Sequence, residues 1–143
     1  SDGASALLLA SEQAVETHGL TARARIVAHS RNSLAPEAFT LAPIGAAEDV
    51  LAKAGWTVSD VDLWEINEAF AMVTMLTMDA LKLDPSCVNV HGGACAQGHP
   101  IGSTGSRIIV TLMHALEHYG KKRGVAALCI GGGEATAVAI ELV

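Results

Sequence analysis

The chain has 143 residues and a net charge of −6; half its residues are hydrophobic, 17% are charged and only 3% are aromatic. A pI near 5.4 and a mean hydropathy of +0.37 exclude a disordered chain, which would be poor in apolar residues, and exclude the positive field of a nucleic-acid or anionic-membrane binder. The length suits one domain with a real core. The apolar share is nonetheless high for a soluble domain, and the chain opens on Ser1 rather than Met, so we expect a piece of something longer.

Ala4 to Ala10 is a short apolar run that predicts a buried strand, followed by an N-cap at Ser11 and a short helix from Glu12 to His18 closed by Gly19. Ala24 to Ala28 reads as a second strand and Asn32 to Pro43 as a loop. Pro43 to Gly55 is an amphipathic helix, with Ile44, Ala47, Val50, Leu51 and Ala54 on one face. Val61 to Ile66 predicts a third strand. Glu68 to Leu83 is a helix apolar almost all round, which implies burial on every side by a layer outside this chain. A Gly-rich stretch from Cys87 to Gly105 then feeds a helix from Ser106 to Tyr119, which ends at the basic turn Gly120 to Gly124. Two final strands, Val125 to Ile130 and Ala135 to Leu142, flank Gly131-Gly132-Gly133. The order is that of an α/β domain with βαβ units.

No apolar run reaches the roughly 18 residues of a membrane helix, and no basic region opens the chain as in a signal peptide. Cys87, Cys95 and Cys129 lack CxxC spacing. They predict neither a disulfide framework nor a metal site, and fit reduced thiols in a cytoplasmic compartment.

Three segments carry candidate chemistry. Asn67 stands where a strand ends and a helix begins, which suits an N-cap but also a ligand site at the carboxyl end of a strand. His99 is held between Gly98 and Pro100, a costly arrangement for a structural histidine. Cys129 ends an apolar strand before three glycines, whose N–H groups can bind an oxyanion. Together they permit a Cys/His pair.

These segments, in this order, resemble the thiolase family. Asn67-Glu68-Ala69-Phe70 is similar to its NEAF block, Gly92 to Gly102 to its GGA…GHPxG block, and Cys129 to Gly133 to its CxGGG block. Asp2-Gly3-Ala4 resembles a further family segment, so the similarity runs along nearly the whole chain but covers only the C-terminal part of such an enzyme. The implied fold is a thiolase-like βαβαβαββ layered α/β domain over residues 1–143, the C-terminal repeat. The N-terminal half, with its nucleophilic cysteine, is absent.

The resemblance implies acyl transfer and Claisen condensation or thiolytic cleavage of 3-ketoacyl-CoA. His99 would activate the missing nucleophile and bind a thioester oxygen. Cys129 would be the acid and base at carbon, with a thiol pKa lowered by its surroundings. Asn67 would hold a water at the oxyanion site, Gly131 would supply an N–H to a second oxyanion hole, and Ala69 and Phe70 would line the pantetheine tunnel. The implied substrates are CoA thioesters, with no cofactor and no metal. The implied partners are the N-terminal half and further copies in a homodimer or homotetramer. Phe39 to Pro43, Cys95, Gln97 and Glu134 depart from the commonest family pattern. Other readings are a non-catalytic CoA-binding or assembly module, a ketoacyl-synthase relative, which would lack the CxGGG block, and a Cys/His hydrolase. The isolated chain is expected to be inactive.

Overall fold

A computed structural model describes residues 1–143. Four strands, β1 (Ala24–Ser33), β2 (Leu63–Ile66), β3 (Arg123–Ile130) and β4 (Glu134–Leu142), form one sheet in the order β1-β4-β3-β2. β2 and β3 are parallel, as a βαβ crossover requires. β3 and β4 form a hairpin, and β1 adds antiparallel to β4 with a bulge at Val27.

Helix α2 (Ala42–Ala54) covers one face of the sheet. Its Ala42, Ala46, Ala47 and Val50 pack against Trp64, Ile66, Val125, Ala127, Ala135, Ala137 and Ala139. The alanines on both sides let helix and sheet approach closely. Helix α5 (Ile101–His118) covers the other face, with Ile108, Leu112, Ala115 and Leu116 against Leu63, Ala126 and Ile140. Period-2 alternation decides this split: Val125 and Ala127 of β3 face α2, while Ala126 faces α5.

The short helix α1 (Glu12–His18) forms as its caps predict: Ser11 Oγ accepts from the Ala14 N–H and Gly19 closes it in the left-handed conformation. The expected strand from Ala4 to Ala10 does not form. The segment has no ladder partner: Ser5 Oγ bonds the Ser103 carbonyl and the Ser103 and Ser106 hydroxyls on α5, and Leu8 and Leu9 stand exposed. β1 runs on to Ser33 because its pairing with β4 continues through residues that looked loop-like. α5 begins at Ile101 rather than Ser106, since Pro100 makes the N-cap and Gly102 and Gly105 are accommodated within the helix.

Helix α3 (Ala71–Leu81) is shorter than the sequence predicts, and this chain itself buries its threonines rather than its methionines. Thr74 and Thr77 are buried, their hydroxyls donating to the carbonyls of Ile66 and Val73. Met72 and Met75 are 51% and 62% exposed, beside Phe70 at 59%. A hydroxyl that finds a local carbonyl can be buried cheaply; an apolar side chain cannot choose its face when its neighbours on the helix are apolar too.

Candidate active site

Asn67 continues the β2–β3 ladder by donating its N–H to the Ala127 carbonyl at 2.9 Å. Leu63 and Glu65 of β2 face α5, so strand alternation brings the Asn67 side chain to that same face. It is 1% exposed, and both its amide oxygen and amide nitrogen lack a partner in the protein. The N-cap of α3 is Phe70, so the capping role does not explain Asn67. An orphaned buried amide costs free energy, and such a group needs a water or a ligand. Ala69 is half-buried, and Phe70 meets Phe39 edge to face with ring centroids 6.1 Å apart.

His99 sits in the loop between helix α4 (Ala94–Gln97) and α5. Its Nδ1 lies 2.7 Å from Oγ1 of Thr104, a fully buried residue in the first turns of α5. The Gly-rich loop ahead of it is braced from several sides. Glu68, next to Asn67, accepts the Cys95 N–H at 2.8 Å and thereby ties α4 to the exit of β2. A side chain at Gly93 would meet that carboxylate and push it off the Cys95 N–H. Gln97 donates to the carbonyls of His91 and Gly92 at 3.0 and 2.9 Å. Asn89, with φ of 48°, plugs the free edge of β2: its amide accepts from the Ile66 N–H and donates to the Ile66 carbonyl, each at 2.9 Å.

Beneath this loop lies a buried charge pair. Arg107 of α5 approaches Glu65 of β2 at 3.6 Å, with one Glu65 oxygen and the Arg107 Nε unpartnered. Burial pushes the Glu65 carboxyl up to about 7, against the opposing pull of Arg107.

Cys129 is half-buried on β3, two residues beyond Ala127, which pairs with the last residue of β2. Burial pushes its thiol up, opposite to the lowered value expected from sequence. The expectation assumed an imidazolium against the sulfur, whereas the His99 ring bonds Thr104 and makes no hydrogen bond to Cys129. Beyond Cys129, Gly131 and Gly132 are exposed and Gly132 and Gly133 take φ of 89°, so this turn leaves backbone N–H groups open to solvent. Its one tie outward is the Leu34 N–H donating to the Gly133 carbonyl at 2.9 Å.

Asn67, Cys129 and Gly131 thus stand at the carboxyl ends of the adjacent parallel strands β2 and β3, where α/β sheets present their ligand sites. Glu68, Asn89, Gln97 and Thr104 were missed by sequence reasoning. The signals for Glu68 and Thr104 were local, an acid following Asn67 and a hydroxyl one helical turn after His99-Pro100. The partners of Asn89 and Gln97 are set by the tertiary fold. An apolar groove of about 680 Å³ between residues 6–10 and α5, lined by Val15, Ile26, Ile109 and Met113, contains none of the site residues.

Comparison with known proteins gives the chain its family. Residues 20–142 match the family model described as "Thiolase, C-terminal domain". The chain belongs to the thiolase family. It is 49% identical over 140 residues to the cytosolic acetyl-CoA acetyltransferase of Mus musculus, covering 98% of this chain and 35% of the mouse protein. It is 47% identical over 141 residues to a steroid 3-ketoacyl-CoA thiolase of Mycobacterium tuberculosis, with coverage of 99% and 35%. Among solved structures, human mitochondrial 3-ketoacyl-CoA thiolase in complex with CoA superposes with a TM-score of 0.91 at 44% identity, covering 94% of this chain and 34% of that one. The chain therefore spans about a third of the length of these thiolases. Its similar proteins include cytosolic and mitochondrial ones, and none of its helices is long and apolar enough to cross a membrane.

Proposed function

We propose that this chain supplies the proton-transfer and oxyanion-binding part of a thiolase acting on 3-ketoacyl-CoA, by acyl transfer and carbon–carbon bond formation or thiolytic cleavage. The observation that carries the reading is Asn67, buried with its whole amide unpartnered at the exit of β2, beside the exit of β3 that bears Cys129. Claisen chemistry develops negative charge on a thioester oxygen, and preorganised donors there lower the barrier. Asn67 holds a water for that oxygen together with the ring N–H of His99. The Gly131 N–H serves the second oxyanion.

His99 takes the proton of a nucleophilic thiol supplied by the N-terminal part of the protein. The thiolate then attacks the acyl-CoA carbonyl and CoA leaves as the thiol. Cys129 removes the α-proton of the second acyl-CoA in synthesis and returns it in cleavage, which needs a base within reach of carbon. The raised thiol pKa of Cys129 keeps it protonated until substrate and the N-terminal part complete its surroundings. Ala69 and Phe70 border the pantetheine arm. CoA thioesters are the only small molecules this chemistry requires. The three cysteines are free thiols, consistent with a reducing, cytoplasmic setting, and we place the protein in a homodimer or homotetramer.

The test is thiolysis of acetoacetyl-CoA by free CoA. The native polypeptide that carries this chain is expected to be active and residues 1–143 alone inactive. Turnover by residues 1–143 alone, or an inactive native polypeptide, overturns the reading.

A further inference from the structure

We propose that Thr104 is a positioning residue that fixes which nitrogen of His99 is basic, a role that rests on His99 acting as the base described above. Thr104 Oγ1 lies 3.0 Å from the Pro100 carbonyl oxygen and 2.7 Å from His99 Nδ1. A carbonyl has no proton, so the hydroxyl is the donor in the first bond. Thr104 has one hydroxyl proton, and with that proton committed Oγ1 can only accept in the second. Nδ1 must then carry a hydrogen, and in the neutral ring Nε2 is left with its lone pair.

The surroundings hold this arrangement. Thr104 is fully buried, so no solvent water competes for Oγ1. Pro100 is the N-cap of α5, and its carbonyl is the first acceptor of that helix, receiving the N–H groups of Ser103 and Thr104 at 2.8 and 2.9 Å. The His99 ring is therefore pinned to the start of a helix of 18 residues, one of the two main elements packed on the sheet.

The consequence is chemical. When Nε2 takes the proton of the nucleophilic thiol, the S–H bond breaks, an Nε2–H bond forms, and thiolate and imidazolium remain. The positive charge strengthens the Nδ1–H bond to Oγ1, because charge-assisted hydrogen bonds are the stronger ones. Thr104 thus favours the imidazolium and raises the basicity of Nε2. The new Nε2–H is the ring N–H that the proposed function offers to the thioester oxygen.

The experiment combines ring tautomer and pH profile in the native polypeptide, labelled with ¹⁵N-histidine. Long-range ¹H–¹⁵N correlation at a pH where His99 is neutral is expected to show a protonated Nδ1. Thr104→Val removes the acceptor at nearly constant volume. It is expected to shift the ring toward the Nε2–H form, to lower kcat/KM for acyl-enzyme formation by about 10- to 100-fold, and to move the acid limb of that profile to lower pH. Thr104→Ser keeps the oxygen and is expected to restore all three. An Nε2–H ring in the wild type, or a Thr104→Ser protein that behaves no better than Thr104→Val, overturns the proposal. The wild-type tautomer and the Ser variant decide even where Thr104→Val fails to fold. A Thr104-dependent tautomer in a protein without acyl transfer sinks the proposed function and leaves the positioning role standing. Acyl transfer with a tautomer indifferent to Thr104 does the reverse.

Discussion

His99 and Cys129, the two side chains proposed to react in this thiolase domain, sit in opposite surroundings. The loop around His99 is tied down at Glu68, Asn89, Gln97 and Thr104. The turn after Cys129 has open N–H groups, one backbone tie to Leu34 and no charged neighbour at the sulfur. The difference suits the two proposed tasks. A base that must take one proton from one thiol gains from a fixed tautomer and ring plane. A group that must reach carbon on an incoming thioester needs room, and its activation comes with what fills that room.

The largest effects are expected from splitting the two groups. His99→Ala is expected to lower acyl-enzyme formation by about 10²- to 10⁴-fold, the usual contribution of a positioned acid–base group. Cys129→Ala is expected to leave acyl-enzyme formation within a few-fold and to abolish exchange at the α-carbon. Trapping of the acyl-enzyme with labelled acetyl-CoA separates them. Equal loss in both variants would show that the two residues act as one unit.

The buried pair under the His99 loop gives the next effect. The Glu65 carboxyl titrates at about 7 in the folded chain against an ordinary 4.5. Between those values the folded state holds a proton that the unfolded state has lost. Stability therefore falls as pH rises from about 4.5 to about 7 and is flat beyond, by a linkage contribution of about 2–3 kcal/mol. Urea midpoints at pH 5 and pH 8 measure it. Glu65→Gln is expected to flatten this slope relative to the wild type, and an unchanged slope would place the titration elsewhere.

Gly93→Ala tests the bracing directly. The new methyl displaces the Glu68 carboxylate from the Cys95 N–H, and a lost charged hydrogen bond of this kind costs about 1 kcal/mol or more. The same change at Gly131, where a side chain meets nothing, is expected to cost less in stability. Equal losses in thermal unfolding would remove the contrast between a braced loop and an open turn.

How much of this was legible depends on where the partners lie in the chain. The α1 caps at Ser11 and Gly19 and the amphipathic stripe of α2 are local signals, and the structure follows them. Ala4 to Ala10 reads as a strand because it is apolar, but a strand also needs an edge to pair with, and no residue of the segment records one. The glycines at 102 and 105 looked like interruptions before a helix, yet both lie inside α5, where neither takes a left-handed conformation. His99 and Cys129 stood out through their Gly and Pro neighbours. Asn67 stood out by its place at the end of a strand, but an N-cap explained it equally well, and only the structure puts that cap at Phe70. The buried pair of Glu65 and Arg107 joins a strand to a helix far along the chain, so neither residue announces it.

The smallest effect concerns the thiols themselves. Burial raises the Cys129 thiol, while the Cys95 thiol is raised chiefly by its contact with the Glu68 carboxylate. In residues 1–143 alone both thiols are therefore expected to react with iodoacetamide at pH 8 more slowly than a free cysteine peptide, Cys129 more slowly than the exposed Cys95 because it is also half-buried. Glu68→Gln is expected to speed Cys95 a few-fold and to leave Cys129 unchanged, read by mass spectrometry of the alkylated peptides. In the native polypeptide the Cys129 rate should rise once the N-terminal part completes its surroundings. A Cys129 already fast in residues 1–143 would mean that this domain activates both of its reactive groups by itself, and the contrast with His99 would fall.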